Sequence, residues 1–471
     1  MRVLVRNADW IVTMNPRRER IRHGNILIDG CRIAALGVGA GEGEPVDRVI
    51  EAEGRAVFPG FVNTHHHLYQ TLTRAIPAVQ DLPLFPWLTM LYEVWREITP
   101  EAVYLGALVG LGELLKSGCT TSADHHYVFP RAADGLIEAE IEAARQLGIR
   151  FHPARGSMSL GRSRGGLPPD DLVQDEDAIL ADCERLLDRY HDPGRYSMCR
   201  LALAPCSPFS VTPRLLEETA ALARRRAVML HTHLAETRDE ERFCREKFGC
   251  RPVAHVERLG WLGPDVWFAH AIHLNDEEVR LLGQTGTGVA HCPVSNMKLG
   301  SGVCRVGELL DAGARVGLAV DGSASNDGSS MWGELRVAYL LQKHTRGESG
   351  LGPEGVLYLA TAGGARVLGR DDTGYLDVDM AADIILVDLG RLEFAGTAGD
   401  PVAALVTTGP GPVETVMVNG QVVVEEGRLV GLPDERELVR MAGEVARHML
   451  ERAGRRTGID YLRARGGEHG E

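Results

Sequence analysis

The sequence predicts a (β/α)8 barrel, of the TIM type, carrying a small β-sandwich assembled from both chain ends. Eight apolar, strand-like segments alternate with helix-like stretches, at 57–63, 120–124, 150–154, 200–205, 228–233, 266–270, 288–291 and 316–321. Each ends in polar or small residues, with histidines or aspartates at 124, 233, 270, 291 and 321, and the C-terminal strand ends are where such barrels keep their chemistry. The flanks instead alternate apolar and polar residues at 3–14, 24–37, 382–389 and 413–430, with turn signals at Asn15-Pro16, Asp29-Gly30 and Asn419-Gly420. The expected division is 1–58 for the first part of the sandwich, 59–372 for the barrel and 373–432 for the second part. A closing amphipathic helix and polar tail are expected over 433–471.

A chain of 471 residues exceeds one ordinary domain, and a barrel of ~250 residues with a smaller companion accounts for it. Its 44% hydrophobic and 25% charged residues suit a globular protein in water. No stretch approaches the ~18 uninterrupted apolar residues of a membrane span. The nearest, 102–115, contains three glycines and Glu113, follows the helix start Thr99-Pro100-Glu101, and reads as a core helix. The N-terminus meets Arg2, Arg6 and Asn7 almost at once, so no leader is read and a cytoplasmic location is expected. The net charge of −14 argues against a nucleic-acid partner but leaves a free nucleobase-like small molecule open. Nine scattered cysteines, never spaced Cys-x-x-Cys, read as reduced thiols. A homo-oligomer is compatible with all of this.

The metal-binding signal begins where the apolar run Ala56-Val57-Phe58-Pro59-Gly60-Phe61-Val62 closes on Asn63-Thr64-His65-His66-His67. Side chains two apart share a strand face, so His65 and His67 project together and can chelate one ion, while His66 points away. In the fifth segment His231 and His233 also share a face; His233 is nearer the rim and is the better ligand, with His231 deeper as a hydrogen-bonding residue. Glu236, three residues on, is placed to exchange a proton with an activated water; the alternative is a helix-start glutamate. His270 and His273 do not share a face, so one should point inward, and His270 ends the apolar run. Asp321 emerges from 316–320 as a carboxylate that is costly to bury unless paired or metal-bound. No lysine occurs in 201–206, so a lysine-bridged pair of metals is not expected. One divalent ion is, and imidazoles with a carboxylate suit zinc first and iron second.

Pro59 to His67, the His233-x-x-Glu236 pair, Ala269-His270 and Val320-Asp321-Gly322-Ser323 together resemble the amidohydrolase superfamily, over residues 1 to about 430. Within it the chain resembles the deaminase and chlorohydrolase branch, which uses one divalent metal. That resemblance implies His65, His67, His233 and Asp321 as ligands, with His270 touching the metal or its water. The chain also resembles the bacterial 8-oxoguanine deaminases, through 63–74 (NTHHHLYQTLTR), Leu84-Phe85-Pro86-Trp87-Leu88, Arg155-Gly156-Ser157, 203–210, 231–236 and 321–328. Gln70 matches a position where guanine deaminases hold the purine. Their Arg-Phe pair is absent near Ala202-Leu203, which disfavours plain guanine.

The resemblance thus implies hydrolytic loss of ammonia from an aminated purine-like ring, 8-oxoguanine giving urate, with Glu236, Asp321 and His270 as catalytic groups. Gln70, Trp87, Arg155 and Cys206 are the expected substrate contacts. Each has a structural alternative: a helix cap, core packing, a carboxylate partner and packing, respectively. An isoxanthopterin deaminase or a triazine amino- or chlorohydrolase is the rival activity. A catalytically silent scaffold would show an eroded metal site, whereas all these positions are filled.

Overall fold

The computed structural model describes residues 1–464 apart from 132, 398 and 410. Eight parallel strands follow one another in chain order: Phe61–Asn63, Cys119–His126, Arg150–Ser157, Ala202–Pro205, Met229–Leu234, Val266–His270, Gly288–His291 and Arg315–Leu318. The first and last are joined where Thr64 N donates to Leu318 O and Asp321 N donates to His65 O, both at 3.1 Å. Val320 N adds a bond to Asn63 Oδ1 at 3.0 Å. Closure of the barrel therefore carries Asp321 to the side of His65.

The barrel interior is built from small residues. Ala123, Ala154, Ala202, Ala204, Ala290 and Ala319 pack with the fully buried Trp267, whose indole donates to Thr64 O at 3.1 Å. Alanines at these inward positions leave room above them for a cluster of imidazoles.

Nine strands drawn from both chain ends form the second, mainly antiparallel sheet. Its core joins Val3, Ile11 and Ile28 from the N-terminal part to Ile384, Leu386 and Met417 from the C-terminal part. The expected strand 57–63 is in fact two strands belonging to different sheets. Arg55–Pro59 pairs with Ile384–Asp388 in the second sheet, and Phe61–Asn63 opens the barrel. Gly60 makes the transfer: a Cβ there would lie 2.2 Å from the Thr120 side chain, so only glycine allows the chain to pass. The helix Glu435–Thr457 closes the described chain, capped by Asp434, whose side chain accepts from Glu437 N at 2.9 Å. The polar tail expected after it lies, from 465 onward, outside the described residues. Among the described residues no helix is long and apolar enough to cross a membrane, and all nine cysteines are free thiols.

The barrel and the second sheet are joined by a buried ion pair. Arg150 donates from Nε to Asp383 Oδ2 at 3.1 Å and from Nη2 to Asp383 Oδ1 at 2.9 Å, with both side chains at most 1% exposed. The remaining capacity is filled: Arg150 Nη1 reaches Tyr196 O and Ser197 O, and Asp383 accepts from Asn419 N and Thr373 Oγ1. Such a pair is near neutral against an apolar substitute, but removing one member strands a buried charge at a cost of ~3–5 kcal/mol. Asp383→Ala should lower the unfolding free energy by about that amount in urea titration. A loss below about 1 kcal/mol would show that the guanidinium finds water instead.

Candidate active site

His65 and His67 follow the end of the first barrel strand, and their rings meet edge to face with centroids 4.6 Å apart. His66 faces away, its Nε2 hydrogen-bonded with Ser329 Oγ at 2.9 Å. His233 comes from the fifth strand and Asp321 from just past the eighth. His67 Nε2 lies 3.1 Å from His233 Nε2. Asp321 Oδ1 lies 3.2 Å from His65 Nε2 and 3.4 Å from His67 Nε2.

The proton positions around this cluster follow from its carbonyl partners, because a carbonyl can only accept. His67 Nδ1 donates to His125 O and His233 Nδ1 to Cys206 O, each at 2.7 Å. His231, stacked on Trp267, donates from Nδ1 to Trp267 O at 3.0 Å, so its Nε2 must accept from His65 Nδ1 at 2.8 Å. Neutral rings held in these tautomers present Nε2 of His65, His67 and His233 as bare lone pairs. Burial keeps them neutral, pulling His65, His231 and His233 well below the ordinary imidazole value and His67 down to about 4.

Lone pairs crowded against one another and against a carboxylate oxygen repel unless a cation lies among them. His65 Nε2 has no hydrogen-bond partner, although it is fully buried. Three imidazole nitrogens and one carboxylate oxygen form a donor set suited to zinc or iron, so the residues fit a divalent metal.

The turns that present these groups are strained. Asp321 (φ +62°), Ala235 (φ +52°), His270 (φ +73°) and Ala271 (φ +47°) are non-glycine residues in the left-handed region, each at ~1–2 kcal/mol, at or just beyond the ends of barrel strands. Local hydrogen bonds hold them. Asp321 Oδ2 accepts from Ser295 Oγ at 2.6 Å and Ser325 Oγ at 3.3 Å, and Oδ1 from Gly322 N at 2.7 Å. Glu240 accepts from Ala235 N and Glu236 N at 2.8 and 2.9 Å, which fixes the turn leading to Glu236.

Glu236 stands outside the donor cluster. Its Oε2 lies 3.6 Å from His270 Nε2 and its Oε1 accepts from Ser301 Oγ at 3.3 Å, while burial raises its pKa. His270 donates from Nδ1 to Asn296 Oδ1 at 2.9 Å, leaving Nε2 4.0 Å from Asp321 Oδ2. His273 turns away to Ser301 O at 2.9 Å.

A small cavity lies over His67, His233, Glu236, His270 and Asp321. Gln70, Trp87 and Cys206 line it. Gln70 sits so close to the Asp321 loop that a Cβ on Gly322 would lie 2.0 Å from its Oε1. Cys206 also serves through its backbone carbonyl, which orients His233, and burial pushes its thiol up to about 12. Arg155 stands outside this cavity. It lies under Phe129 at 4.1 Å, bonded to Asp182 Oδ2 at 3.0 Å, Gln174 Oε1 at 3.1 Å and Gly156 O at 2.6 Å, and it lines a separate surface pocket. The carboxylate that claims it stands on the helix Glu176–Tyr190, beyond the reach of strand periodicity.

Several site residues were not anticipated. Leu84, Leu88 and Tyr92 reach the cavity from the helix Leu84–Trp95, whose apolar spacing reads simply as core. Tyr127 and His125 follow from a second strand that runs to His126 rather than stopping at 124; Asp124-His125-His126-Tyr127 was the available signal. His125 donates from Nε2 to Ala204 O at 2.8 Å beside the ligand cluster. A further buried group, Asp124, His126 and Glu140, brings its donor atoms within 4.8 Å of one another, with His126 Nδ1 2.8 Å from Glu140 Oε1 and its Nε2 bonded to Val128 O.

The Amidohydrolase family matches residues 56–423. The 8-oxoguanine deaminase of Pseudomonas aeruginosa is 49% identical over 425 residues, 90% of this chain and 93% of its own. Hydroxydechloroatrazine ethylaminohydrolase of Pseudomonas sp. (strain ADP) is 39% identical, over 89% of this chain and 87% of its own. Atrazine chlorohydrolase of Arthrobacter aurescens TC1, crystallised with zinc, shares the fold at a TM-score of 0.89 and 36% identity, covering 94% of this chain and 100% of that one. A match spanning all eight barrel strands and part of the flanking sheet, together with relatives this similar over nearly their whole length, makes this chain a member of the amidohydrolase family.

Proposed function

We propose that this protein is a mononuclear metal-dependent deaminase that hydrolyses 8-oxoguanine to urate and ammonia. The carrying observation is the cavity that joins the Nε2 cluster to three buried polar atoms without hydrogen-bond partners: Gln70 Oε1, Trp87 Nε1 and Tyr92 OH. A mainly apolar cavity with a few unmet polar atoms suits a heteroaromatic ring with hydrogen-bonding edges. The 49% identity to an 8-oxoguanine deaminase supports the choice of ring.

His65, His67, His233 and Asp321 would hold one divalent ion. Zinc is favoured by the donor set and by the zinc-containing relative, with iron as the alternative. Bound there, the ion would supply a water activated at neutral pH. Asp321, its Oδ2 anchored by two serines, takes the proton of the attacking water. Glu236, whose carboxyl burial holds above its ordinary range, delivers a proton to the ring nitrogen beside the amine-bearing carbon. His270, held by Asn296, orients the water and steadies charge as it develops. The proton held by Asp321 then passes to the exocyclic nitrogen and the hydroxyl proton returns to Glu236, so that collapse of the tetrahedral carbon breaks its bond to that nitrogen, which leaves as ammonia and is replaced by a carbonyl oxygen. Gln70 and Trp87 grip the ring edges while the apolar wall excludes bulk water.

Ammonia release from guanine, 8-oxoguanine, isoxanthopterin and hydroxylated triazines tests the assignment. Selective turnover of 8-oxoguanine is expected, and preference for a pterin or triazine would move the protein to a sister activity. Glu236→Gln should retain about one metal per chain yet lose at least ~100-fold in kcat. A retained rate would remove its proton-transfer role. Gln70→Ala should raise KM about five- to tenfold with a smaller change in kcat; an unchanged KM would make the residue structural.

A further inference from the structure

The helix Leu84–Trp95 lies between the first and second barrel strands in the chain and turns Leu84, Trp87, Leu88 and Tyr92 to the cavity, at spacings of three, four and eight residues. Tyr92 is fully buried, and its hydroxyl has no hydrogen-bond partner. Burial holds its pKa well above the usual phenol value, so the hydroxyl is a proton donor under all ordinary conditions. A phenylalanine would fill the same volume without leaving a polar atom unsatisfied, a state that carries a real desolvation cost. A hydroxyl kept there suits a ligand atom that arrives in the cavity.

Its position indicates which atom. The amine-bearing carbon must sit beside Glu236, His270 and Asp321, which come from the ends of the fifth, sixth and eighth strands. Tyr92 stands on a helix that follows the first strand and packs Phe85 against Phe209, past the end of the fourth strand, on the side of the barrel mouth away from the sixth and eighth. A planar ring reacting at one edge therefore presents its opposite edge to Tyr92. In an 8-oxopurine reacting at C2 that edge projects the C8 carbonyl, an acceptor; in a purine without the 8-oxo group C8 carries only hydrogen, and the flanking N7 and N9 are set back from where that oxygen would stand.

We infer that Tyr92 is a specificity-determining residue, donating its hydroxyl to the C8 carbonyl oxygen and selecting 8-oxopurines over 8-unsubstituted ones. The inference rests on the 8-oxoguanine reading of this site and deepens it. Discrimination arises because a purine lacking the carbonyl leaves the buried hydroxyl unpaired, a stronger filter than a change in apolar volume.

The test compares wild type with Tyr92→Phe as zinc-loaded protein, using 8-oxoguanine in kinetics and urate and xanthine in titration calorimetry. Urate has the C8 carbonyl and xanthine lacks it. Wild type should bind urate at least about tenfold more tightly than xanthine. Tyr92→Phe should raise the urate Kd and the 8-oxoguanine KM about five- to tenfold, while its xanthine Kd moves less than about twofold. Equal weakening of urate and xanthine, or no change in either, overturns the inference. So does equal binding of the two by wild type, a result that needs no variant. Wild-type turnover of 8-oxoguanine with an unchanged variant KM removes this inference alone; absence of wild-type turnover removes the substrate assignment and this inference with it.

Discussion

The centre of this protein depends on where three imidazole protons are kept. Carbonyl oxygens of His125, Cys206 and Trp267, the last acting through His231, hold those protons on Nδ1. Nε2 of His65, His67 and His233 is left to face Asp321. In water each ring would exchange tautomers freely; here a switch would leave a buried carbonyl without its donor. A cation held among these lone pairs would offset the electrostatic cost of crowding them and would link metal binding to the order of the barrel mouth.

The barrel supplies this geometry through closure and local strain. Hydrogen bonds between the first and eighth strand ends place Asp321 against His65, and inward alanines leave the volume the imidazoles occupy. Left-handed residues at the strand ends aim side chains that a regular strand would send elsewhere, and Ser295, Ser325 and Glu240 hold those turns. The chemistry is thus divided between a rigid donor cluster below and a helix-roofed cavity above. Asp321 belongs to the first part, Tyr92 to the second, and Glu236 stands between them.

Much of this was legible in the order of residues. The two-residue spacing of His65 and His67, and the apolar runs ending at His233, His270 and Asp321, place those side chains at one rim on periodicity alone. Three features were hidden. The split at Gly60 depends on a steric contact with Thr120, distant in the chain, so 57–63 reads as one strand. Arg155 has the chemistry of a purine contact, yet Asp182, 27 positions later, claims it in the fold. Tyr92 has the spacing of a core residue, and only the absence of a partner for its hydroxyl reveals another use.

The account stands or falls on one metal held by the three Nε2 atoms and Asp321. Anomalous diffraction at the zinc edge from crystals of the zinc-loaded protein measures this directly. A single zinc peak per chain, ligated by Nε2 of His65, His67 and His233 together with Asp321, is the predicted result. Ligation through Nδ1, or a principal peak at Asp124, His126 and Glu140, would contradict it.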